Sequence, residues 1–141
     1  MVVVKRLVRW ITFNVIFALF PLITALLFRD LAGKLTTDDI AKSPEILFFA
    51  LMVSATALGD LFEIFPSVGW DALLVIMGAI LFIGAVFSAI LYGGLVYNSM
   101  IETGAESFRS RLLFYSLFLA IGLFAVSTAT EVMLGRIEGK K

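Results

Sequence analysis

Neither cysteine nor histidine occurs anywhere in the 141 residues. Their absence excludes disulfides, thiolate and imidazole metal sites, haem held by histidine, and the Ser-His-Asp and Cys-His nucleophile arrangements. Charge is scarce as well: 16% of residues are Asp, Glu, Lys or Arg, divided into 11 basic and 11 acidic. A nucleic-acid partner would call for a basic excess, so none is expected. No glycine-rich phosphate loop, zinc spacing or internal repeat stands out, and no cofactor or metal is expected. The pair Asp38-Asp39 in KLTTDDIAK lacks the spaced oxygen ligands and the bidentate glutamate of a calcium loop.

Apolar residues are abundant. They make up 61% of the chain, and the mean hydropathy is +1.05, whereas a soluble domain is roughly 45–50% apolar and about 25% charged. The expectation is an all-α integral membrane protein, with residues 1–141 forming a single domain. Crossing ~30 Å of hydrocarbon takes about 20 helical residues, and four runs are long enough: about 7–28, 46–65, 72–97 and 112–134. Together they predict a four-transmembrane-helix bundle. Lys5, Arg6 and Arg9 ahead of the first run would suit a signal peptide, but the run is long and LLFRDLAGK offers no small-x-small cleavage site, so retention as a span is expected.

Local signals refine the four runs. Pro21 should kink the first, and Asn14 is its one internal amide, expected to bond across helices. Ser43-Pro44-Glu45 reads as the start of the second, with a cap, a proline at the first position and an acid in the first turn, and Pro66 reads as its end. The segment from Arg29 to Glu45 is polar enough for a short surface helix.

Four spans put both termini and the 66–71 connection on one side. The stretch ALGDLFEIFPSVGWDALL holds Asp60, Glu63 and Asp71 and no base. Asp71 sits where a helix dipole favours an acid, whereas Asp60 and Glu63 sit at the disfavoured end of the second run, sharing a face at i and i+3. Candidate counter-charges on that side are Lys5, Arg6, Arg9, Arg136, Lys140 and Lys141. The reading is a neutralised charged face made of Lys5, Arg6, Arg9, Asp60, Glu63, Asp71 and Arg136, able to dock a partner. Trp10 and Trp70 fall at the same end and Tyr92, Tyr97 and Tyr115 toward the other, as interfacial aromatic belts would. The cluster Lys5-Arg6-Arg9 favours cytoplasmic termini in a cell membrane. The bias is small: six basic residues fall on the terminal side and five (Arg29, Lys34, Lys42, Arg109, Arg111) on the other.

Two helix faces draw attention. Gly78, Ala85, Ala89 and Gly93 form a small-residue seam on the third run, suited to close packing within the subunit or to a homo-oligomer interface. Ser116, Leu123, Ser127 and Glu131 share a polar stripe on the fourth, which Ala120 and Thr130 join and which Arg109 extends if the helix starts early. This stripe could line a path in an oligomer, with Leu123 as an apolar constriction. Alternatively its hydroxyls bond their own i−4 carbonyls while Glu131 reaches the membrane surface.

In span count and in its near-even distribution of basic residues the chain resembles the small multidrug resistance transporters. That family depends on a carboxylate within its first helix, and the first run here offers only Asn14, so the resemblance carries no site over. No facing pair of catalytic groups is visible at depth, and an enzyme is not expected. Two functions remain open. One is the oligomeric membrane-embedded subunit, an anchor or sensor, of a larger system, docking a soluble cytoplasmic protein through the charged face. The other is a homo-oligomeric pore or small transporter. Either could serve host defence, toxin action or transport.

Overall fold

The computed structural model describes residues 2–33, 44–68, 71–100 and 106–140. Among them the chain is helical, and four helices are long and apolar enough to cross a membrane. Helix α1 runs over Val2–Leu31, α2 over Glu45–Val68, α3 over Ala72–Met100 and α4 over Glu106–Glu138. Ser43, Trp70, and most of the polar segment between α1 and α2, including Asp38 and Asp39, lie outside the described residues.

The boundaries follow local chemistry. Leu31 ends α1 because Gly33 turns into the left-handed region at φ 64°, where a residue without Cβ meets no penalty. The Ala32 and Gly33 amides close the last turn on the Phe28 and Asp30 carbonyls at 3.1 and 2.8 Å. Asp71 starts α3 as expected for an acid at that position: its Oδ1 accepts from the Leu73 amide at 2.9 Å. Pro66 does not end α2, which continues to Val68. Proline keeps a helical φ, so the chain can carry on while the carbonyl four residues back goes without its usual donor. Helix α4 starts early, at Glu106. Pro21 stands inside α1, and five residues of that helix, Ile11–Val15, wind as a π-turn closed by the Ile16 amide on the Ile11 carbonyl. Nothing in the sequence pattern had signalled that turn.

Helix α2 is central and packs against each of the other three, while α1 lies on α4 and α2. Four apolar clusters run through the bundle. Trp10, Val15 and Ala18 meet Val53; Ile46 and Ala50 meet Ala120 and Leu123; Leu61 and Ile64 meet Leu74 and Leu134; Leu47 meets Leu95. Close approach depends on small residues. A Cβ on Gly78 would lie 2.8 Å from Leu61 Cδ2, and one on Gly84 only 2.2 Å from Leu123 Cδ2.

The bundle buries small hydroxyls and exposes large apolar side chains. Ser54, Ser88, Ser116, Ser127 and Thr130 are fully buried, whereas Phe17, Phe20, Phe28, Phe82, Ile83, Ile90, Phe114 and Phe118 face outward. Two of the hydroxyls are absorbed locally: Ser54 donates to the Ala50 carbonyl at 2.8 Å and Thr130 to the Val126 carbonyl at 2.9 Å. In water this arrangement would leave much apolar surface wet. In lipid, small interior residues are what lets helices pack closely.

Candidate functional site: a buried charge cluster beside a polar cavity

The start of α1, the later turns of α2 and the end of α4 come together at one end of the bundle, and Arg6 is at the centre of that end. It lies on the face of α1 that meets α4, and 6% of its side chain is exposed. Its Nε donates to Glu131 Oε2 at 2.8 Å, its Nη1 to Glu138 Oε1, and its Nη2 stands 3.7 Å from Asp60 Oδ2. Glu131 is 0% exposed, whereas Asp60 and Glu138 are partly open to the surroundings. One guanidinium thus ties three helices, with the fully buried carboxylate as its best-aligned partner. An arginine suits this role because its planar fork offers several donors in fixed directions.

The α4 side of the contact repeats at i, i+4 and i+7: Glu131, Gly135, Glu138. Gly135 provides the room, since a Cβ there would lie 2.9 Å from the Cα of Val3. The backbone of α1 therefore rests on that glycine, and the two glutamates one turn to either side reach Arg6.

Beside the cluster is a cavity of about 270 Å³, lined by Arg6, Arg9, Trp10, Phe13, Asn14, Asp60 and Glu131. Trp10, Phe13 and Asn14 come from the π-turn and the residue before it; such turns are frequent at functional sites. Two buried atoms on these lining residues have no hydrogen-bond partner: Glu131 Oε1 and Trp10 Nε1. A third, Ser88 Oγ, lies elsewhere on α3. Among the described residues no group of three acids gathers closely enough to hold a metal ion.

The charged face expected from sequence divides in two. Arg6 and Asp60 do meet, but Arg6 is buried rather than exposed on a docking face, because Glu131 and Glu138 draw it against α4. Lys5, Arg9, Glu63, Asp71 and Arg136 are exposed, and Asp71 caps α3. The i, i+3 spacing does not give Glu63 a share in the arginine; it turns outward beside half-buried Asp60.

The fourth-helix stripe is a single face, and it points into the subunit. Ser116, Leu123, Ser127 and Glu131 are all buried. Ser127 Oγ approaches the Val53 carbonyl of α2 at 3.4 Å, Leu123 fills the notch at Gly84, and Glu131 is held by Arg6 inside the subunit. The third-helix seam splits: Gly78 and Ala85 are buried within the subunit, Ala89 and Gly93 exposed. Trp10, expected in an interfacial belt, is 2% exposed because it stacks on Phe124 with ring centroids 6.0 Å apart. Of the opposite set, Tyr115 is exposed and Tyr92 half-buried against Phe48; the side chains of Tyr97, Arg109 and Arg111 lie outside what is described. Sequence reasoning passed over Glu138, Gly135 and the burial of Trp10. The i, i+4, i+7 spacing of Glu131, Gly135 and Glu138 is the signal that could have found the first two.

The chain matches no protein-family model, and no curated protein and no solved structure is significantly similar to it.

Proposed function

We propose that this chain is an integral membrane protein acting as the oligomeric membrane-embedded subunit, an anchor or sensor, of a larger system. Its termini lie on the cytoplasmic side, and a soluble partner docks on the exposed charges of the terminal end. The observation that carries the membrane reading is the inverted distribution of side chains: hydroxyls and one ion cluster inside, phenylalanines and isoleucines outside on four helices long enough to span. The docking reading is supported by Lys5, Arg9, Glu63, Asp71 and Arg136, which are exposed at the end where Arg6 locks three helices together. A ligand or partner that disturbed this lock would act on α1, α2 and α4 at once. The pore or transporter alternative loses its proposed lining, since the fourth-helix stripe is occupied with packing inside the subunit.

Two experiments test the reading. Single-cysteine labelling in intact cells should find Ser67 and the C-terminus protected, with Thr37 and Thr103 reactive from outside; Ser67 reacting from the side opposite the termini would end the topology. Photo-crosslinkers at Arg9 and Arg136 should each trap a second copy or one discrete soluble protein, and charge reversal of the neighbouring exposed bases should abolish the soluble product. Crosslinks to lipid alone, with charge reversal silent, would end the docking reading.

A further inference from the structure

At the terminal end one guanidinium faces three carboxylates, Asp60, Glu131 and Glu138, and two of the three share one edge of it. Nε and Nη2 are the neighbouring nitrogens of that edge, which ordinarily grips both oxygens of a single carboxylate. Here Nε donates to Glu131 Oε2 at 2.8 Å, while Nη2 stands 3.7 Å from Asp60 Oδ2. The second distance is too long for a hydrogen bond. Arg6 is thus hydrogen-bonded to Glu131 and Glu138, and Asp60 is left over, facing Glu131 from α2. Two carboxylates in such a contact are costly to ionise together, most of all on helices that span a membrane.

The other charged groups at this end do little to relieve the contact. Arg9 lines the cavity from an exposed position on α1, Glu63 turns outward on α2, and Arg136 is exposed on α4. Helix α3 carries neither acid nor base from Ala72 to Met100. A proton does relieve it. It needs no room of its own, and it reaches the contact through Asp60, which is 34% exposed and lines the cavity. Glu131 also keeps a buried oxygen, Oε1, without a donor. A carboxyl that holds a proton is a donor, where two bare carboxylates offer none.

We infer that Asp60 and Glu131 bind one proton between them, and that its loss loosens α2 from α1 and α4. The proton belongs to the pair and not to either residue alone. While it is held, Glu131 remains the anionic partner of Arg6 and Asp60 is a neutral donor, so one guanidinium faces two anions instead of three. As the medium turns alkaline the proton leaves, and two carboxylates then repel across one guanidinium edge. This deepens the sensor reading above by giving it an input, acidity at the terminal end, and it rests on the membrane placement.

Infrared difference spectroscopy on protein reconstituted in ether-linked lipid, which has no ester carbonyl to overlap, reads the proton directly. Between about pH 6 and about pH 10, above the range where solvated carboxyls titrate, the parent should lose one protonated-carboxyl band equal to one group per chain. Asp60→Asn and Glu131→Gln should each lack the band while circular dichroism stays helical, and Glu63→Gln should keep it. Asp60→Asn is nearly isosteric at a half-exposed position, so it decides the matter if Glu131→Gln does not fold. Absence of the band in helical parent protein, or its survival in Asp60→Asn, overturns the inference. The chain has no native cysteine, so spin labels on Glu63→Cys and Arg136→Cys report the separation of α2 from α4. That distance should widen as the band disappears and stay constant in Asp60→Asn; a constant distance in the parent while the band titrates overturns the loosening. None of these measurements needs a partner, so their failure leaves the docking reading standing. Extraction of the chain from the bilayer by alkaline carbonate is a separate failure, that of the membrane placement.

Discussion

The two ends of the bundle each hold an arginine opposite a carboxylate, and they differ in how far the surroundings reach. At the terminal end Arg6 and Glu131 are 6% and 0% exposed and meet at 2.8 Å. At the other end Arg29 and Glu45 are 34% and 20% exposed and stand 3.8 Å apart. The same charge chemistry does different work in the two places. A partly exposed pair contributes about 0–1 kcal/mol. A buried pair has already lost its hydration, so removing one member strands the other at a cost of about 3–5 kcal/mol. The terminal end is therefore where a single substitution should loosen the molecule, and the Arg29 end is where it should not.

Glu131→Ala should show the largest effect. It leaves Arg6 with only the partly exposed Asp60 and Glu138, and reversible unfolding in detergent should register a loss of about 3–5 kcal/mol. A loss below about 1 kcal/mol would make the two ends alike. Gly135→Ala sharpens the comparison without touching a charge. The added methyl meets the Val3 backbone, which cannot step aside as a side-chain tip can, and overpacking of this kind costs about 1–3 kcal/mol. Crosslinking between the start of α1 and the end of α4 should fall in parallel; an unchanged yield would mean that the glycine does not hold α1 in place. Arg29→Ala should be the mildest, at about 0–1 kcal/mol in the same unfolding measurement. A loss comparable to that of Glu131→Ala would erase the distinction.

Much of the architecture was legible in the sequence, because length, hydropathy and cap chemistry act locally. Asp71 at the start of α3 follows from position and charge, whereas the fourth helix begins before its expected start at about 112, and Arg6 was only one of six candidate counter-charges to Asp60. The stripe from Ser116 to Glu131 was legible as one face, since 3.6-residue periodicity is written in the chain. Which way that face turns was not, because in a bundle of this composition the polar face can turn inward and the apolar one outward, the reverse of the soluble rule. The burial of Trp10 was missed for a related reason: an indole suits a membrane surface and a packed interior equally well, and its stacking on Phe124, far off in sequence, is not written in the local pattern. Glu138 fell beyond the expected end of the fourth span, and the helix that runs on to it is what brings it to Arg6.

The central claim is that Arg6 and Glu131 act as one buried unit joining the first helix to the last. A double-mutant cycle with Arg6→Ala, Glu131→Ala and the combination, read by reversible unfolding in one detergent, tests it most directly. The account predicts that each single variant loses about 3–5 kcal/mol and that the double variant loses less than their sum by about 2–3 kcal/mol, since removing the second charge relieves the first. Losses that add within about 0.5 kcal/mol would contradict it.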